Sequence, residues 1–228
     1  MTRRLKDVVD EYMKKVSGIE ELCDRCLQTA RWDGNVVLMV VDAAFTSIGL
    51  NYFTAVVPNV VGFKTRFVDN GLIPDLGTLA QADIGTLRRV WKNKRSWQMA
   101  RDIASYLSGK DDRGALRRWA GHADLDIWEQ DPLGAIHGVG INTFQYLRMM
   151  GGVDTVMPDK IVKRVINEIF EKAGARPVQD DLAFVKTVER IAPQCGYRPI
   201  ELCWMTWMIQ PEGKLMRMKK YAPLLPHI

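Results

Sequence analysis

Apolar residues recur at intervals of three and four along nearly the whole 228-residue chain, and this spacing constrains the fold more than any other feature. It is clear over residues 8–16, 37–45 and 162–170. Such a period places one side of an α-helix against a core. No stretch shows the sustained alternation and paired turn signals of a β-hairpin. The sequence therefore predicts an all-α protein.

Glycine and proline residues divide this pattern into about ten helices of ordinary length. A content of 47% hydrophobic and 26% charged residues is typical of globular domains and excludes disordered, collagen-like and disulfide-scaffold proteins. The most apolar run, residues 36–50, is shorter than a membrane span and contains Asp42, so it predicts a buried helix and no membrane partner. Residues 1–15 lack the apolar segment of a secretory signal, and we expect a cytoplasmic protein, associated with the nucleoid if the host is a prokaryote.

The formal net charge of +5 permits a polyanionic partner without proving one. Basic residues cluster in four places, and each cluster taken alone is typical of a solvated helix face. The clusters lie at residues 88–95, 113–118, 160–164 and 214–220.

Four cysteines stand at Cys23, Cys26, Cys195 and Cys203. The Cys-x-x-Cys spacing of the first two falls in an amphipathic helical stretch without a glycine or proline knuckle. That context favours core packing over a metal site.

Residues 131–150 contain the most informative local pattern. Leu133 and Ile136 predict a short helix, the sequence from Gly138 to Gly140 predicts a sharp turn, and Phe144 continues the apolar period on a second helix. Glycine accepts positive φ and lets the backbone approach another molecule closely. The free amides at the start of the second helix attract phosphate. The alternative is a plain helical hairpin whose glycines only turn the chain.

Asp159 follows Asn142 by seventeen positions and comes directly after Pro158. An aspartate at such a helix start is usually an N-cap. Capping uses one carboxylate oxygen and leaves the other free. Asp159 can therefore be only a cap, or it can be a cap that also has a functional role, and the sequence leaves both interpretations open.

Together, the runs Leu133-x-x-Ile136-x-Gly138-Val139-Gly140-x-x-Thr143 and Asp159-x-x-Val162-x-Arg164-Val165 resemble the helix-hairpin-helix DNA glycosylases of the endonuclease III superfamily. In that family an essential aspartate follows the hairpin at about this distance. Weaker similarity extends the resemblance over residues 33–173. It implies two helical lobes with a cleft for the base between them: residues 33–150, ending in the hairpin, and residues 1–32 plus 151–228.

The resemblance implies a monofunctional glycosylase that hydrolyses the N-glycosidic bond of a modified or mismatched base in duplex DNA. Bifunctional members carry a nucleophilic lysine where this chain has Asn142, and an amide cannot form an imine. Many relatives hold an iron–sulfur cluster with four cysteines near the C-terminus. Only Cys195 and Cys203 lie there, so we expect no cluster, and we expect a monomer.

The resemblance also implies roles for individual residues. Asp159 would stabilise positive charge on the sugar and orient water, kept ionised by its helix N-terminus. The strand would be bound by Gly138, Val139, Gly140, Asn142, Thr143, Lys94, Arg95, Lys160, Lys163 and Arg164. The base pocket, or a wedge that fills the gap left by the flipped base, would comprise Asn142, Phe45, Asp42, Trp204 and Trp207, with Phe45 as plain core left open. With DNA bound, the backbone carbonyls of Gly134, Ile136 and Val139 would hold a monovalent cation.

Three other functions remain open at this point. One is a non-catalytic helix-hairpin-helix DNA-binding protein in which Asp159 only caps its helix. Another is a bifunctional glycosylase and lyase that uses a lysine elsewhere, and the third is a helical protein-interaction module. The lesion is also open among alkylated purines, deaminated bases and oxidised guanine.

Overall fold

The computed structural model describes residues 2–210, and all regular structure in this range is helical. The all-α prediction is confirmed. The basic cluster at residues 214–220 and the end of the predicted second lobe lie outside the described residues. The α-helices are α1 (Thr2–Met13), α2 (Ile19–Leu27), α3 (Val36–Thr46), α4 (Val57–Phe63), α5 (Leu76–Gln81), α6 (Ile84–Leu87), α7 (Lys94–Leu107), α8 (Asp112–His122), α9 (Ile141–Met150), α10 (Lys160–Lys172), α11 (Asp181–Ile191) and α12 (Pro199–Met208).

Helix α3 lies at the centre of one group of helices. Every residue from Val36 to Phe45 is buried, as expected for a helix that is apolar on all sides. The side chain of Asn35 starts this helix by accepting a hydrogen bond from the Leu38 amide at 3.0 Å. Helices α4, α5, α7, α8 and α9 pack against α3. The segment after it, Tyr52–Val68, is one helical run in which π-helical turns flank α4.

The N-terminal and C-terminal helices form a second group. Helix α1 packs on α10, and both α2 and α10 pack on α12, while α2 also contacts α9 of the first group. Polar contacts join α1 to this group: Tyr12 donates to Glu168 at 2.7 Å, and Tyr197 donates to Asp10 at 2.8 Å. The first described helix therefore contacts both α10 and the turn before α12.

A strained link connects α2 to α3. Trp32 and Asp33 both adopt left-handed backbone conformations, with φ of 51° and 57°. Such residues cost about 1–3 kcal/mol each unless their surroundings fix them. Arg113 and Arg117 of α8 donate to backbone carbonyls at the end of α2 and hold the approach to this link. Its conformation places Arg31 and Trp32 in the interior, where both are buried.

Within residues 2–210, none of the helices combines the length and the apolar character that a membrane crossing requires.

Candidate functional site

Asp159 is the N-cap of α10, as the sequence predicts. Its Oδ1 atom accepts hydrogen bonds from the amides of Ile161 at 2.7 Å and Val162 at 2.9 Å. Its Oδ2 atom is buried and has no hydrogen-bond partner among the described residues. Buried carboxylate oxygens are normally paired, so the free oxygen is a candidate for a ligand contact.

Asp159 is one of the residues that line a cavity of about 470 Å³. This volume falls in the range of small-molecule sites, about 300–1,000 Å³. Four segments form the wall: the end of α3 with the loop after it, the first turns of α9, the start of α10, and α12. The lining residues are Ala43, Thr46, Ser47, Gly49, Leu50, Asn51, Asn142, Thr143, Tyr146, Met157, Asp159, Lys160, Ile161 and Trp207.

Burial raises the pKa of Asp159 above its ordinary value. The amides of Val162 and Ile161 and the indole N–H of Trp207 lower this pKa, but they offset only part of the effect of burial. The N-terminus of α10 by itself favours the charged form of Asp159. Burial acts in the opposite direction and is the larger effect.

The glycine turn before α9 is present, but the helix predicted before it is not. Residues 132–135 form a turn in which the amide of Ala135 donates to the carbonyl of Asp131 at 2.8 Å. Gly138 has a φ of +95°, a conformation that side chains rarely adopt. Gly140 is the extended N-cap of α9 and provides no side-chain cap for its first amides. An uncapped helix start therefore lies beside Asn142 and Thr143 on the cavity wall.

The wedge role expected of Phe45 is wrong. Its side chain is fully buried. Its ring stacks on Trp91 at 4.4 Å between centroids and meets the edge of Trp97 at 4.9 Å. An aromatic side chain enclosed on two sides cannot enter a base stack, so Phe45 is part of the core.

The base-pocket role expected of Asp42 is also wrong. The residue is fully buried behind the cavity, and its carboxylate is saturated by hydrogen bonds from other side chains. The donors are Arg31 Nη2 at 3.2 Å, Trp32 Nε1 at 2.8 Å, Tyr52 OH at 2.9 Å, Tyr146 OH at 3.0 Å and Thr46 Oγ1 at 3.3 Å. Asp42 therefore fixes Tyr146 and Thr46, which do line the cavity, and does not itself contact its interior.

The two tryptophans predicted for the base pocket occupy different places. Trp207 lines the cavity that holds Asp159. Its indole N–H is close enough to lower the pKa of that carboxylate, but the contact does not meet hydrogen-bond geometry. Trp204 lies deeper, where the guanidinium of Arg31 sits 5.3 Å from its ring centroid. Only Trp207 can therefore touch a molecule bound next to Asp159.

Some of the basic residues predicted to bind DNA are exposed, and others already have partners within the protein. Lys94 and Arg95 are exposed at the start of α7, and Lys160 is exposed at the cavity. Lys163 forms an ion pair with Asp181 at 2.6 Å, so its charge is already matched. Arg164 is exposed and donates to Gln210 at 2.7 Å.

Several wall residues were absent from the sequence prediction. Tyr146 follows Asn142 by four positions, and residues at this spacing lie on the same face of a helix. The sequence therefore could have placed Tyr146 beside Asn142 in the predicted site. Leu50 lines the cavity and is 47% exposed, a large apolar side chain left in solvent. No local pattern indicated that this loop faces Asp159, because the contact joins distant parts of the chain.

The cysteines are buried as free thiols, and burial raises the pKa of each. Within residues 2–210, no three His, Cys, Asp or Glu side chains form a group that could hold a metal ion.

Comparison of the chain with family models, with curated proteins and with solved structures found no match. The geometry around Asp159 and the uncapped start of α9 therefore carries the functional interpretation.

Proposed function

We propose that this protein is a monofunctional DNA glycosylase that flips a modified or mismatched base out of duplex DNA and hydrolyses its N-glycosidic bond. One observation carries the proposal: Asp159, whose buried Oδ2 atom has no hydrogen-bond partner among the described residues, lines a cavity of about 470 Å³. Asn142 and Thr143, from the uncapped first turn of α9, lie on the same wall. A carboxylate and a phosphate-binding helix start are thus available side by side.

The chemistry assigned to Asp159 is electrostatic. Breaking the N-glycosidic bond develops positive charge on the sugar, as in other glycoside hydrolyses. A fixed carboxylate next to the anomeric carbon stabilises that charge and orients the water whose oxygen bonds to the carbon. The base leaves with the bond electrons and takes up a proton, and Asn142 provides no amine for an imine intermediate.

The strand contact assigned to α9 uses its first amides. Gly140 leaves them uncapped, and an added Cβ at this residue would meet no atom within 4 Å, so the backbone is open to an approaching phosphate. Lys94, Arg95 and Lys160 add sequence-independent attraction that salt weakens. A monovalent cation held by the backbone carbonyls of Gly134, Ile136 and Val139 is part of this proposal. The Ile136 carbonyl already accepts a hydrogen bond from the Val139 amide at 3.0 Å.

Gly140→Ser tests this contact without strain. The N-cap backbone is extended, which suits serine, and the hydroxyl should take the amides meant for phosphate. We expect the free energy of unfolding to rise by a few tenths of a kcal/mol. We expect affinity for a duplex with an abasic-site analogue to fall, measured by fluorescence anisotropy at fixed salt. Unchanged affinity in this better-capped variant would place the phosphate elsewhere.

The pH dependence of base release follows from the pKa of Asp159. Only the ionised carboxylate stabilises a cationic sugar, so the single-turnover rate should fall as the pH drops through this pKa. The acidic limb of the pH–rate profile is the range in which the rate falls as the pH drops. Because burial raises the pKa of Asp159, this limb should lie above pH 3.8, the ordinary pKa of aspartate. The Trp207 indole lowers the pKa, so Trp207→Phe should move the acidic limb to still higher pH.

Trp204→Phe is the matched control for Trp207→Phe, because both tryptophans lie on α12 and only Trp207 lines the cavity next to Asp159. The control should leave the acidic limb where it is. A shift of equal size in both variants would mean that the limb reports the stability of α12 and not Asp159.

A second candidate function rests on Lys160. Its exposed side chain lines the same cavity as Asp159, which is where a lyase nucleophile would be needed. Borohydride reduction during turnover distinguishes the two functions, because it traps an imine between protein and DNA. A trapped adduct that disappears in Lys160→Gln would establish the lyase and overturn the monofunctional assignment.

The direct test of the proposed function is a panel of duplexes that each carry one modified base, incubated with the protein and then treated with alkali to cleave abasic sites. We expect cleavage after alkali with at least one duplex and little cleavage without it. Salt-dependent binding with no abasic sites in any duplex would support a non-catalytic DNA-binding protein instead.

A further inference from the structure

Positive charge is concentrated at the turn between α6 and α7. Five cations stand within residues 88–95, which we call the basic turn: Arg88, Arg89, Lys92, Lys94 and Arg95. Residues 84–101 contain no acidic residue. The rest of the chain has equal numbers of basic and acidic residues, so the basic turn accounts for the whole formal net charge of +5.

The cations of the basic turn are not neutralised by carboxylates in the part of the chain that the structure describes. All five side chains are exposed, and none forms an ion pair among residues 2–210. Lys163, by contrast, is paired with Asp181 at 2.6 Å. An exposed helix face usually mixes charges of both signs, whereas a block of like charges is typical of segments that bind nucleic acid. The basic turn therefore suits a polyanionic partner.

The backbone of the basic turn is held firmly by the core beneath it. The Trp91 ring stacks on Phe45 at 4.4 Å between centroids, and the Trp91 carbonyl accepts a hydrogen bond from the Trp97 indole at 2.8 Å. Asn93 caps α7 by accepting hydrogen bonds from two amides of its first turn. A surface that is ordered before binding loses less entropy when its partner arrives. The five cations thus project from a fixed base and not from a flexible tail.

The basic turn adjoins both parts of the candidate site. Trp91 packs on Phe45 near the end of α3, and the next residue of α3, Thr46, lines the cavity that holds the free carboxylate oxygen. Met99 lies about 6 Å along α7 from the end of the basic turn. Its sulfur would be 3.6 Å from a Cβ added at Gly138, so α7 contacts the glycine turn before α9. A duplex that presents a base to the cavity and a phosphate to α9 would also pass close to the basic turn.

We propose that the basic turn binds phosphates of duplex DNA, with Arg88, Arg89 and Lys92 acting together with Lys94 and Arg95. Phosphate contacts carry no sequence information, so this surface would bind damaged and undamaged duplexes alike. The choice of duplex DNA as the partner rests on the proposed function, because the neighbouring cavity is the one assigned to a flipped base. The surface itself does not require a catalytic carboxylate.

A triple variant tests this surface. Arg88→Gln, Arg89→Gln and Lys92→Gln together remove three exposed cations from the full chain, whose affinity for a labelled duplex is then measured by fluorescence anisotropy at several salt concentrations. In a plot of log affinity against log salt concentration, each neutralised phosphate of B-DNA contributes about 0.9 to the slope. We expect the slope to fall in magnitude by about 2 to 3, and the affinity at about 0.1 M salt to fall by about tenfold or more. The factor should be equal for an unmodified duplex and for one with an abasic-site analogue.

Arg3→Gln, Arg4→Gln and Lys14→Gln form the matched control. They remove the same charge from exposed positions of α1, which packs mainly on α10 and on the turn before α12. This control should change the slope by less than about 1. Equal losses in the two triple variants would mean that only net charge matters, and would overturn the inference. An unchanged slope in a basic-turn variant that thermal melting shows to be folded would overturn it too.

A charge-conserving variant separates phosphate binding from local structure. Arg88 Nε donates to the Lys92 carbonyl at 3.1 Å, so Arg88→Gln removes a hydrogen bond as well as a charge. Arg88→Lys with Arg89→Lys loses the same hydrogen bond but keeps both charges. We expect this variant to keep the parent slope. A slope reduced as far as in the glutamine variant would assign the effect to the structure of the turn and overturn the inference.

The outcomes distinguish this inference from the proposed function. A reduced slope in the triple variant, with no base released by the parent protein from any duplex, would support the basic turn and overturn the glycosylase. Base release by the parent with an unchanged slope in the variant would do the reverse. A larger loss of affinity for a single-stranded oligonucleotide than for the duplex would overturn the assignment of this surface to duplex DNA.

Discussion

Replacement of Asp159 by asparagine is expected to abolish base release while leaving the fold intact. The asparagine Oδ1 atom can still accept from the amides of Ile161 and Val162, so α10 keeps its cap. The negative charge beside the sugar is lost. Removal of one preorganised electrostatic contact in an active site typically costs about a hundred- to a thousandfold in rate. Single-turnover release from a reactive duplex should fall by at least this factor, and thermal melting should change little.

Asp180→Asn is the matched control. Asp180 caps α11 in the same way, accepting from the Ala183 amide at 2.8 Å, but it is exposed and does not line the cavity. The same chemical change there should leave both the release rate and duplex binding unaltered. If Asp159→Asn released bases as fast as the parent protein, Asp159 would be a structural cap and the site would lose its catalytic basis.

The helices were predictable wherever the apolar period and a capping residue agreed. Residues 36–46 and 160–172 form helices as the spacing indicates, and Asn35 and Asp159 start them. The prediction failed at residues 132–135, which form only a turn. Gly134 there packs so tightly that an added Cβ would lie 1.8 Å from the Trp128 carbonyl oxygen. This close approach to the preceding turn is a local backbone contact that apolar periodicity does not record.

The candidate site was predictable only in part, because its wall joins distant segments. The cap geometry of Asp159 could be derived from Pro158-Asp159, but its raised pKa depends on burial by residues far along the chain. Phe45 and Asp42 were misassigned for the same reason: both lie within one buried helix whose environment comes from elsewhere. The hydrogen bond from Tyr146 to Asp42 spans 104 positions, and no local spacing indicates it.

The buried pair of Arg31 and Asp42 gives the largest expected effect on stability. Both side chains are fully buried at 3.2 Å from each other, and Asp42→Asn would leave the guanidinium charge unmatched in the core. Removing one partner of a buried pair typically costs about 3–5 kcal/mol in the free energy of unfolding. For a chain of this size the melting temperature should fall by roughly 10 °C. Asp69→Asn, which breaks the exposed pair with Lys64, should cost less than about 1 kcal/mol. Equal losses in the two variants would mean that Arg31 finds another acceptor, and that Asp42 does not fix the wall of the cavity.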